Sequence, residues 1–154
     1  MLKKIFFTIL LLSLLSHCEY KPVYSNKNKV NYKIIITSST GDKNINNSII
    51  KTLKRNSKEG SEKIVNISFN TNYSKNSLAK DATGTITDYQ AEVVAKFTIE
   101  KVNNFENFLV TEKFNFQKMT DKYEEKNYEQ TIKKNLANSV TQKLLLKLAV
   151  IKWF

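Results

Sequence analysis

The chain has 154 residues and carries 25 Lys and Arg against 14 Asp and Glu, a formal charge of +11. Its one cysteine and one histidine stand side by side at His17-Cys18. No internal disulfide can therefore form, and zinc sites or nucleophile triads built on Cys or His have nothing else in the chain to draw on.

At the start of the chain, Lys3 and Lys4 precede an apolar run, Ile5 to Leu15, interrupted only by Thr8 and Ser13 and followed by Ser16-His17-Cys18. A basic head, a short apolar run and a processing site form an export signal. The run falls well short of the roughly 20 residues that span a bilayer, so the segment anchors and does not span. A cysteine at the cut is the pattern of a bacterial lipoprotein, with Cys18 as the acylated first residue. The sequence thus divides into a signal peptide (1–17), a lipid-anchored tether (18–29) holding the only proline, Pro22, and a single domain (30–154). Losing Lys3 and Lys4 and no acid takes the charge from +11 to +9, and removes the only histidine. Export argues against nucleic acid as the anionic partner; phospholipid head groups and phosphorylated glycolipids remain. The abundance of Lys, Asn and Ile also fits drift in an AT-rich genome.

Val30 to Thr37 is β-branched and reads as a first strand, central because Ile34-Ile35-Ile36 is apolar on both faces. Ser38 to Gly41 breaks it. Asp42 to Lys58 follows as a helix with Asp42 as N-cap. It has Ile45, Ile49, Ile50 and Leu53 on one stripe, and Lys51, Lys54, Arg55 and Lys58 opposite or flanking. Gly60 stops it.

Lys63 to Tyr73 alternates, with Val65, Ile67, Phe69 and Tyr73 on one face. Thr85 to Lys101 repeats the pattern with Tyr89, Ala91, Val93, Ala95, Phe97 and Ile99 inward. After a turn at Asn103 to Asn107, Phe108 to Gln117 forms a fourth strand with Phe108, Val110, Phe114 and Phe116 on one face. From Asp121, paired with Glu124 in a capping-box-like start, the period becomes helical. Tyr128, Ile132, Leu136, Val140, Leu144 and Leu148 make a stripe widened by Ala137 and Leu145, and Glu129 precedes Lys133 at the favourable i, i+4 offset. Such a helix is about 38 Å long. The order β-α-β-β-β-α specifies an α+β two-layer sandwich, two helices on one face of a four-stranded mixed sheet.

A right-handed crossover makes the first two strands parallel, which brings the 38–43, 74–84 and 117–122 connections to one end. Lys43, Lys75, Lys80, Lys118 and Lys122 gather there against Asp42, Asp81 and Asp121. Lys75, Lys80, Lys118 and Lys122 are the candidate contacts for anionic lipid phosphates, as point charges; the plainer reading is solvated loop lysines. Glu124-Glu125 and Asp121 sit at a helix start, where the macrodipole favours acids. Asp81 and Asp88 flank Gly84 in a hairpin. A carboxylate-dependent hydrolase is the one enzymatic reading left, and the chain is expected to be non-enzymatic, with no cofactor or metal. Gly41, Gly60 and Gly84 are isolated and read as turns, not a phosphate loop. The tail, Val150 to Phe154, either covers the end of the core or docks on a partner through Trp153 and Phe154.

The stretch Cys18-Glu19-Tyr20-Lys21-Pro22-Val23-Tyr24 resembles the start of LptE, the lipopolysaccharide-assembly lipoprotein, as found in alphaproteobacteria. More loosely, Tyr89 to Ile99 and Phe114-x-Phe116-x-x-Met119-Thr120-Asp121-x-Tyr123 with its following helix resemble that family's later strands and last helix. The resemblance implies an outer-membrane protein facing the periplasm, acting as plug and assembly partner of an LptD-type β-barrel and binding lipopolysaccharide. His17 stands where the family carries a small residue, and Glu19 where many members have Gly. A lipoprotein serving another envelope transport system, as auxiliary or ligand-binding component, is the rival expectation.

Overall fold

In the computed structural model, residues 31–101 and 104–150 are described. The signal segment, Cys18, the tether and the Trp153-Phe154 tail lie outside the described residues. The elements run β1 (Lys33–Gly41), α1 (Lys43–Asn56), β2 (Ile64–Lys80), β3 (Ile86–Lys101), β4 (Asn104–Gln117) and α2 (Lys122–Val150). The sheet has the order β1-β2-β3-β4, with β1 and β2 parallel and the other pairs antiparallel. This is the expected α+β sandwich.

Period-two alternation buries Val65, Ile67 and Phe69 of β2 and Ala91, Val93, Ala95, Phe97 and Ile99 of β3 on one face. Over them close Ile45, Ile49 and Leu53 of α1 and the α2 stripe Ile132, Leu136, Val140, Leu144 and Leu148. Asp42 caps α1 as expected, its Oδ1 accepting from the amides of Asn44 and Ile45 at 2.9 and 3.0 Å. Among the described residues, no helix is long and apolar enough to cross a membrane.

Several expectations need correction. β1 is an edge strand, not a central one: Ile34 is buried at 8 % exposure but Ile35 points outward at 38 %. A β-branched run satisfies strand propensity whether or not both faces are covered. Nor does β1 end at Thr37. The register steps from Ile36↔Ile67 to Ser38↔Ser68, so Thr37 is the extra residue of a bulge, and pairing resumes to Gly41. β2 also runs on past Tyr73 to Lys80, so residues 74–80 are strand and the hairpin loop is only 81–85. β4 begins at Asn104, within the segment expected to turn. Phe114 keeps its parity but is 42 % exposed, because an edge strand has a neighbour on one side only. α2 is longer than expected, 29 residues, or about 43 Å at the standard rise.

Candidate functional site

Because β1 ends opposite Thr71 while β2 continues to Lys80, the β2–β3 hairpin and the end of β4 extend as an arm beyond β1 and α1. Nine further residues of strand reach about 30 Å. The N-terminal half of α2 covers this arm.

The interface there is ionic and aromatic. Lys75, expected in a connecting loop, is instead on β2 at inward parity. Its Nζ donates to Glu125 Oε1 at 2.7 Å and Glu129 Oε2 at 3.2 Å. It lies 4.1 Å from the Tyr89 ring centroid and 5.3 Å from that of Phe116. Burial opposes the Lys75 charge, but the two carboxylates outweigh it and raise its pKa. Glu125 also accepts from the Met119 amide at 3.0 Å; the Lys75 hydrogen bond, aided by that amide, lowers its pKa. Asp121 is the N-cap as expected, but the carboxylate that reaches back to the backbone before α2 is Glu125, on the Met119 amide, not Glu124. The expected Glu129–Lys133 pair does not form either. Glu129 faces Lys75, and Lys133 reaches Asp42 Oδ2 at 3.0 Å while lying 4.0 Å from the Tyr73 centroid. Burial raises the Asp42 pKa, but the Ile45 amide and Lys133 win and the net direction is downward. Burial and the nearby Glu129 and Asp42 carboxylates push the Tyr73 phenol upward.

Beyond this node lies an open cleft of about 770 Å³ between the start of β3, the end of β4 and the first turn of α2. Thr87, Asp88, Tyr89, Lys118, Met119 and Lys122 are among its lining residues. A smaller cleft of about 440 Å³ shares Asp88, Lys118 and Met119 and reaches Tyr128. Lys118 is placed by its amide, which donates to Thr87 O at 2.8 Å; Lys80 ends β2 opposite Ile86. All three of Lys80, Lys118 and Lys122 are exposed and make no ion pair with a described residue.

Two of the acids at this end, Asp81 and Asp121, are taken up by local structure. Asp81 Oδ1 accepts from Thr83 N, Thr83 Oγ1 and Thr85 N at 2.8, 2.7 and 2.9 Å. The Thr83 hydroxyl and Thr85 amide lower its pKa. Asp121 Oδ1 accepts from Tyr123 N and Glu124 N, the N-cap arrangement. Asp81 and Asp121 thus organise turns, while Asp88 lines both clefts. The structure therefore brings Lys80, Lys118 and Lys122 to one end and withdraws Lys75 into the α2 interface. Lys43 sits back at the β1 end. The Lys75 node is what sequence reasoning missed.

No protein-family model and no curated protein sequence matches this chain. Solved structures do. Rare lipoprotein B from Shewanella oneidensis aligns with a TM-score of 0.55 at 11 % identity, over 73 % of this chain and 94 % of that one. A putative lipoprotein from Caulobacter crescentus gives 0.53 at 12 %, over 75 % and 87 %. A minor lipoprotein from Acinetobacter baumannii gives 0.50 at 14 %, over 77 % and 96 %. At these identities the likeness is one of fold: the sandwich of this chain is shared with bacterial proteins described as lipoproteins.

Proposed function

We propose that this protein is a lipoprotein of the outer membrane, acylated on Cys18 and facing the periplasm, that assists lipopolysaccharide transport to the cell surface. Its partner is an LptD-type β-barrel, for which it acts as plug and assembly factor. The observation that carries this reading is the coincidence of two independent features. The Cys18 to Tyr24 motif follows an export signal, and the domain behind it has a fold shared with bacterial lipoproteins. Binding and plugging need no imidazole or thiol, which suits what remains after the signal is removed. A tagged chain in its native envelope should retain a large barrel protein and glycolipid through detergent extraction. Repeated recovery of a different transporter, with no barrel, would favour the auxiliary-lipoprotein alternative and end this one.

Lys80, Lys118 and Lys122 are the groups available for glycolipid phosphates, as charge-assisted donors beside an open cleft. Changing all three to Ser should weaken capture of lipopolysaccharide by roughly tenfold or more without changing thermal stability, since none is buried or paired. Unaltered capture in a direct binding assay would remove this end of the sandwich from consideration.

A further inference from the structure

From Lys43 to Lys58 the chain contains five cations and no acid. On α1, at about 100° per residue, Lys43, Lys51, Lys54 and Arg55 project from the side opposite Ile45, Ile49 and Leu53. Lys58 lies just past the helix end. All five are exposed, and none makes an ion pair with a described residue. α2 differs in carrying acids among its cations: Glu125 and Glu129 take up Lys75, and Lys133, Lys143 and Lys147 are paired, although Lys122, Lys126 and Lys134 make no ion pair with a described residue. We infer that the outward face of α1 is a peripheral docking surface for anionic phospholipid head groups.

Two observations choose a membrane over other anionic partners. The first is complementarity. Ile45, Ile49 and Leu53 of α1 are buried in the core and Ile50 is half-buried against it, so the outward face offers charge with no large hydrophobic anchor. That suits a planar field of phosphates, where each Lys or Arg near the surface adds attraction, better than a protein pocket. The second is where the chain enters, and it rests on acylation at Cys18. The described residues begin beside the basic end of α1: the Lys58 amide donates to Tyr32 O at 3.1 Å, and the Ile34 amide to Ser57 Oγ at 2.9 Å. The residues between Cys18 and β1 (19–32) reach about 46–50 Å when extended. α1 is about 21 Å long. An anchored chain therefore holds this face within reach of the bilayer. The contact would be electrostatic and screened by salt, an orienting second signal added to the acyl anchor.

The test uses the chain from Cys18 onward carrying Cys18→Ser, which keeps every described residue and removes the acyl contribution. It should co-sediment with vesicles containing about 30 % phosphatidylglycerol at low salt, and not with pure phosphatidylcholine. Lys51→Gln, Lys54→Gln and Arg55→Gln together should weaken partitioning by at least about tenfold. Lys96→Gln, Lys113→Gln and Lys126→Gln, the same loss of charge placed elsewhere, should change it far less. Equal loss in both triple variants would mean net charge and not a face, and would overturn the inference. So would equal binding to neutral vesicles, or an α1 variant that binds like its parent but loses capture of a barrel or of lipopolysaccharide. Acylation of Cys18 is read separately, from the mass of the native protein; its absence would sink the lipoprotein reading and leave the vesicle result standing.

Discussion

Gly41→Ala is expected to destabilise the domain by about 3 kcal/mol. Gly41 has φ +102, a region costly for any residue with a Cβ. Its neighbour is equally unforgiving. A Cβ placed there would sit 1.8 Å from Thr71 O and 2.7 Å from Thr71 C, both backbone atoms. Thr71 cannot retreat. It is 2 % exposed, and its hydroxyl donates to Asn46 Oδ1 of α1 at 2.6 Å. The Asp42 amide meanwhile donates to Thr71 O at 3.3 Å. Strand, N-cap and helix are thus threaded past one carbonyl. Gly84 is the control. It has φ +82, but a Cβ there meets nothing within 4 Å, so Gly84→Ala should cost only the backbone strain, about 1 kcal/mol. Urea unfolding of the two variants checks this; equal losses would show that the β1–α1 junction is not tight.

That junction also shows how far the sequence could be read. A glycine between a strand and an Asp N-cap reads as a turn, and all three glycines do adopt positive φ. The bulge at Thr37, which carries β1 on to Gly41, has no local signature, because it answers to register against β2 rather than to residue type. Amphipathic period fixed the faces of β2, β3 and both helices well, since each buries one side only. It failed for Ile34-Ile35-Ile36, where apolar residues fill both sides of a strand that covers only one. The arm escapes the apolar pattern for a related reason. Tyr73 ends the apolar alternation, yet inward parity continues to Lys75. Glu125, Glu129 and Lys133, at successive i, i+4 steps, mark the opposing flank of α2. The pattern was present in the sequence, but its inward-facing members are charged. Charges at connections suggest solvent and ligands, whereas here Lys75 is a structural cation.

Lys75→Met should cost about 2 kcal/mol and change the pH dependence of stability. Methionine keeps the stem and a favourable contact with the Tyr89 and Phe116 rings, so the loss reads the charge alone. What it leaves behind is Glu125 and Glu129, whose side chains are 16 and 21 % exposed, facing each other without their shared cation. The sign follows from the pKa directions. Glu125 is lowered from its ordinary 4.5, so the native state binds fewer protons than the unfolded chain. Its contribution is complete above that value and is lost as pH falls through the lower native one. Lys75 is raised from 10.5, so its contribution is complete below that value and is lost as pH rises further. In the parent, acid should therefore erode stability below about pH 5, with Asp42, also lowered, adding to the slope. In Lys75→Met the acid slope should flatten, because protonating Glu125 now relieves repulsion instead of breaking a pair. Adding Glu125→Gln and Glu129→Gln to Lys75→Met should recover most of the stability, since a neutral set no longer buries unpaired charge. Parallel acid-unfolding curves for parent and Lys75→Met would show that the node contributes nothing. The cleft would then lose the ionic latch by which α2 holds its wall in place.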